Sequence, residues 1–209
     1  MSFRVHLTEQ SGRLTPFRGR IEKIVSKIES EVGVRMSLPD MDVVISDDPM
    51  GAIPEIGIGG MARNEHLLLI SIDPNHVWSG AEFEHALRGT IAHEIHHCVR
   101  MGSVGYGETL FDALITEGLA DHFDQEVNGG DPSLWSVALD DAQQETWLKR
   151  AREEFDRTSY DHAAWFYGKE GGQPKWAGYT LGYYLVGEYL NRSKKKASGL
   201  VNTPSSDFR

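Results

Sequence analysis

Apolar residues recur at helical spacing over residues 17–33, where Ile21, Ile24, Val25, Ile28 and Val32 share one face and Gly33 supplies a stop. The pattern then shortens. Residues 41–46 and 66–72 are brief runs rich in Val, Ile and Leu, joined by a Gly/Pro-rich connection, and they predict two strands of one small sheet. Helical spacing resumes after Ser79, a candidate N-cap, and continues to about Met101, with Gly102 as the stop. A glycine-rich link over 102–107 leads into a second such helix over 108–127. After the Gly/Pro break at 128–132 come a polar helix over 139–155 and a last helix over 176–192. No internal repeat interrupts this order. The elements predict an α+β fold, a small β-sheet packed on a mainly helical body, in a single domain over 1–209.

Composition narrows the partners. With 209 residues, 40% hydrophobic and 25% charged, the chain can bury one sizeable core. The formal net charge of -10 leaves no broad basic surface for a phosphate backbone, so nucleic acid is not expected as a partner. The one dense basic run, Lys194-Lys195-Lys196, follows the last helix, where cations complement the helix dipole. Cys98 is the sole cysteine, which excludes an internal disulfide and fits a reducing compartment. The opening Met1-Ser2-Phe3-Arg4-Val5-His6 lacks the apolar stretch of a signal peptide, and no run approaches the ~20 apolar residues that cross a bilayer. A cytoplasmic protein without a membrane segment is the expectation.

The chemistry concentrates in the helix ending near Met101. His93-Glu94-Ile95-His96-His97 has the form His-Glu-x-x-His, in which residues four apart project from one face. Two imidazoles can then converge on one cation while Glu94 reaches a water beside it. Leu87, Ile91, Ile95 and Cys98 form an apolar stripe opposite, which would bury the helix and turn His93, Glu94 and His97 toward a cleft. Twenty residues after His97, Glu117 on the next helix can complete a two-His, one-Glu site with a fourth position open to water. Asp121, one turn further, can accept a hydrogen bond from the non-ligating nitrogen of a ligand histidine.

These residues resemble the gluzincin signature, His-Glu-x-x-His followed by Glu-x-x-x-Asp. More specifically, the segments 92–97, 109–120 and 178–183 resemble the YjaZ-like family of predicted Zn-dependent proteases. The resemblance implies a zincin-like fold, one zinc ion per chain held by His93, His97 and Glu117, Glu94 as the general base, and Asp121 behind the ligands. It implies a peptide or protein substrate. It further implies an oxyanion donor from the C-terminal part: Tyr179 or Tyr183, which share a helix face, or His162 in what reads as a loop. In gluzincins a strand beside the active-site helix also binds substrate by edge pairing, a role open to the 66–72 strand, with Gly59-Gly60 allowing a backbone to approach.

Plainer readings apply to the remaining candidates. His96 and His122 read as surface residues or as supports behind the ligands, and Cys98 as a small core residue. Two other functions compete with a peptidase: a zinc-binding or chaperone-like protein without proteolysis, and a zinc hydrolase of a non-peptide substrate. Glu94 disfavours the first, because a site that only binds metal has no use for a base there.

Overall fold

The computed structural model describes residues 3–170 and 172–209; Met1 and Ser2, which open the polar N-terminal segment, lie outside them. The chain is α+β and forms two compact units, Met1–Ser103 with Val127–Gly129, and Val104–Glu126 with Gly130–Arg209.

The first unit contains β1 (Phe3–Leu7), α1 (Arg18–Gly33), β2 (Met41–Asp47), β3 (Ile58–Asn64), β4 (Leu67–Ile72) and α2 (Gly80–Met101). Its sheet has the order β1-β2-β4-β3. β1, β2 and β4 run parallel, with Val5 opposite Val43 and Val43 opposite Leu68, while β3 runs antiparallel to β4, with Gly60 opposite Ile70. The period-2 pattern explains the packing: Met41, Val43 and Ile45 of β2 and Leu68, Ile70 and Ile72 of β4 are buried. The predicted face of α1, from Ile21 to Val32, is buried as well.

Four strands replace the two anticipated. β1 alternates Phe3, Val5 and Leu7, but its parallel partner lies some forty residues away, so no local turn announces the pairing. β3 carries Gly59-Gly60 and little alternation, and only pairing with β4 makes it a strand. The order also moves the edge of the sheet. β4 lies between β2 and β3, so the 66–72 strand has no edge to offer a peptide, and the terminal strand beside it is β3. The two glycines serve packing inside this unit. A Cβ on Gly59 would strike the carbonyl of Gly51, and one on Gly60 would lie 2.5 Å from Glu94 Cγ.

In the second unit α3 (Leu110–Asn128), whose last residues count with the first unit, precedes α4 (Asp141–Glu154), α5 (His162–Tyr167) and α6 (Ala177–Ser193). Leu114, Leu148, Trp165, Phe166 and Leu181 form the centre of its core. α3 and α6 meet backbone to backbone. A Cβ on Gly118 would overlap the carbonyl of Gly182, and one on Gly182 would overlap that of Leu114, so only glycine permits this approach. α5 was not anticipated and removes His162 from the expected loop. Asp161 caps it by accepting from the Ala164 amide at 3.1 Å, a local signal carried by one residue before a very short helix.

Candidate metal centre

α2 begins at a capping box. The Ser79 hydroxyl accepts from the Glu82 amide and the Glu82 carboxylate accepts from the Ser79 amide, as the Ser-x-x-Glu spacing dictates. Thirteen residues into the helix stands His93. From Ile91 to Cys98 every residue is buried. His93, Glu94 and His97 are only 6–9% exposed. His96 is wholly buried, so its surface reading does not hold.

His93 and His97 stand one turn apart, rings nearly perpendicular at 84° and Nε2 atoms 3.0 Å from each other. That separation is close to the ~3.3 Å edge of a tetrahedron with bonds of ~2.0–2.1 Å, the geometry of a zinc bound by imidazoles. Among the described residues, His93, His97 and Glu117 each offer a ligand atom, all within 4.8 Å of one another, and all three residues are buried. Two imidazoles and a carboxylate are a donor set that fits zinc.

Glu94 is held by the sheet. Its Oε2 accepts the Ala62 amide of β3 at 2.7 Å, and its Oε1 lies over Gly60, where a Cβ would come within 2.8 Å. Cys98, one residue past His97, is a core thiol. Burial, aided by the negative charge of Glu94, pushes its pKa up to about 12, which leaves it protonated and unreactive at neutral pH.

Glu117 is set by α3 and by a cluster of aromatic residues. Its Oε1 accepts the Tyr106 hydroxyl at 2.6 Å. Burial raises the Tyr106 pKa well above its ordinary value, and the charge of Glu117 adds to the effect, so Tyr106 remains a donor. The Tyr160 hydroxyl and His162 Nδ1 are 3.0 Å apart. His162 stacks on Phe166 and meets Tyr106 edge-on, while Tyr179 meets Phe166 edge-on. Tyr160 is raised to about 12 by burial and by the charges of Glu117 and Asp112. Burial lowers the His162 pKa, against an opposite pull from Glu117 and Asp161.

The two candidate tyrosines of α6 go to different neighbours. Tyr179 belongs to the aromatic cluster near Glu117. Tyr183 stacks on His122 with centroids 3.9 Å apart and donates its hydroxyl to Gln125 at 2.5 Å. Gln125 lies eight residues past Glu117 on α3, about 12 Å along the helix axis. His122 is tied to the same corner, with Nε2 2.9 Å from the Tyr183 carbonyl. Asp121 is buried, and its two oxygens accept from Trp135 Nε1 at 2.9 Å and from the Ser136 hydroxyl at 2.8 Å.

Sequence reasoning overlooked Tyr106, Tyr160 and the hold of Ala62 on Glu94. Tyr106 stands between Gly105 and Gly107, a hint of an ordered turn, but nothing in the spacing tied its hydroxyl to Glu117.

Residues 21–209 match a family described as "Predicted Zn-dependent protease (DUF2268)". The chain is also 29% identical over 125 residues to "Uncharacterized protein YjaZ" of Bacillus subtilis (strain 168), an alignment covering 56% of this chain and 48% of that protein. It thus spans about half the length of the curated relative it matches. No solved structure matches the chain. Because the match takes in nearly the whole chain, including both histidines, Glu94 and Glu117, the protein belongs to the DUF2268 family of predicted Zn-dependent proteases.

Proposed function

We propose that the protein is a zinc-dependent peptidase of the gluzincin type, in which His93, His97 and Glu117 hold one zinc ion and Glu94 moves the proton. The observation that carries this reading is the buried group of two imidazoles and a carboxylate with ligand atoms within 4.8 Å of one another. A zinc ion supplies Lewis acidity there, lowering the pKa of a water toward about 7 and polarising a carbonyl oxygen.

Glu94 follows His93 directly, and the Ala62 amide pins its Oε2. Oε1 is then the oxygen that takes the proton from the attacking water and passes it to the leaving amine. Asp121, its carboxylate steadied by Trp135 and Ser136, is the acceptor that would orient a ligand imidazole. Charge developing on the attacked carbonyl oxygen needs a donor. Tyr179 and His162, in the cluster near Glu117, come first for that role, and Tyr183, already donating to Gln125, comes after them. An extended peptide backbone would pair at the terminal strand β3, between the Ile58 carbonyl, which accepts from Ile53, and the Ala62 amide, which donates to Glu94.

A peptide-library assay on zinc-loaded protein tests the reading. Wild type should cleave, and Glu94→Gln should keep its zinc while turnover falls by at least about 100-fold, because the amide cannot accept the proton. Equal turnover in both proteins would remove Glu94 from the mechanism. Zinc far below one equivalent, unaffected by His93→Ala, would remove the metal.

A further inference from the structure

The second unit holds a device aimed at Glu117. Tyr106 sits in the turn before α3, flanked by Gly105 and Gly107 at φ of 78° and 93°, backbone conformations that favour glycine. Two consecutive residues of α3 grip it. The Thr116 hydroxyl donates to the Tyr106 backbone carbonyl at 3.0 Å, and the Tyr106 hydroxyl donates to Glu117 Oε1 at 2.6 Å. The turn has no slack. A Cβ on Gly107 would overlap the side chain of Asp112, whose carboxylate in turn accepts from the amides of Glu108 and Thr109 at the start of α3. The phenol is thus fixed to the same helix that carries the carboxylate it contacts.

The geometry points to Tyr106 as a positioning residue for Glu117. By engaging Oε1, the hydroxyl sets the plane of the carboxylate and would leave Oε2 for an ion, which would favour ligation through one oxygen over ligation through two. It also gives the buried carboxylate a partner before metal arrives, so the site is organised in advance. A hydrogen-bond partner of a ligand carboxylate typically contributes about 10–100-fold in metal affinity. This inference rests on the zinc reading above.

The experiment compares wild type, Tyr106→Phe and Thr116→Val. Tyr106→Phe removes only the hydroxyl; Thr116→Val loosens the turn and leaves that hydroxyl in place. Zinc affinity is measured by competition with a chromogenic chelator, coordination number by the visible absorption of the cobalt-substituted protein, and folding by circular dichroism. Tyr106→Phe should fold, bind zinc about 10–100-fold more weakly, and give a weaker cobalt absorption as the carboxylate turns to bind through both oxygens. Thr116→Val should keep the wild-type cobalt spectrum. Wild-type affinity and spectrum in Tyr106→Phe would overturn the assignment while leaving the zinc reading intact. So would identical changes in the two variants, which would reduce Tyr106 to part of an ordered turn. Wild type that takes up neither zinc nor cobalt in stoichiometric amount would sink the zinc reading itself, a failure visible in that arm alone.

Discussion

Gly182→Ala adds one methyl group where α3 and α6 touch. Its Cβ would overlap the Leu114 carbonyl oxygen and stand 3.1 Å from the Leu114 carbonyl carbon and 3.2 Å from the Gly118 nitrogen. All three are backbone atoms of α3, so no side chain can turn away and the helices must part by about 1 Å. Overpacking costs about 1–3 kcal/mol where side chains can adjust, and a backbone clash falls at or above the top of that range. Helix propensity works the other way, favouring alanine over glycine by about 1 kcal/mol. Repulsion wins by roughly 2 kcal/mol, which lowers the melting temperature by about 4–8 °C in a chain of this size. Thermal unfolding of metal-stripped protein by circular dichroism measures this without the contribution of bound metal. Gly19→Ala in α1, where a Cβ meets nothing within 4 Å, serves as the control and should be neutral or slightly stabilising. Zinc affinity should fall in Gly182→Ala, because the displaced helix carries Glu117 next to Gly118. A Gly182→Ala protein as stable as wild type would show that propensity outweighs the contact and that the close approach of α3 to α6 is wrong.

Gly60→Ala should reduce turnover by about 100-fold, since its Cβ would lie 2.5 Å from Glu94 Cγ, 2.7 Å from Thr90 Cγ2 and 2.8 Å from Glu94 Oε1 and push the proposed base aside; unchanged turnover alongside a strongly impaired Glu94→Gln would refute that placement. For pH dependence, burial lowers the His122 pKa below its ordinary value near 6.5, so the unfolded chain takes up this proton first as pH falls. The stability arising from neutral His122 is complete above about pH 6.5 and declines as pH drops from there toward the lower folded value; metal-free His122→Gln should show a flatter loss of stability across that window in denaturant titrations, and an unchanged slope would rule out the contribution.

Sequence pattern alone determined five of the six helices found among the described residues, the two interior strands, and the His93/His97 pair as candidate ligands, while Glu117 followed from its spacing and from the family resemblance. Each of these is local. Ile21 to Val32 repeat at the helical period, Ser79 and Glu82 form their capping box within one turn, and His93 and His97 share a helix face whatever surrounds them. The tertiary structure decided what depends on distant partners. β1 is a strand because Val5 meets Val43, β3 because Gly60 meets Ile70, and the edge position passed from β4 to β3 with that pairing. The same holds for the supporting chemistry. Tyr179 and Tyr183 are indistinguishable by helical offset, and only the packing of α6 against α3 gives one to the cluster near Glu117 and the other to Gln125. Tyr106 reaches Glu117 through a turn built on two left-handed glycines, and the Ala62 amide reaches Glu94 from a neighbouring strand. A helix face is written within four residues of sequence, whereas a hydrogen bond between elements is set by the backbone path that brings them together.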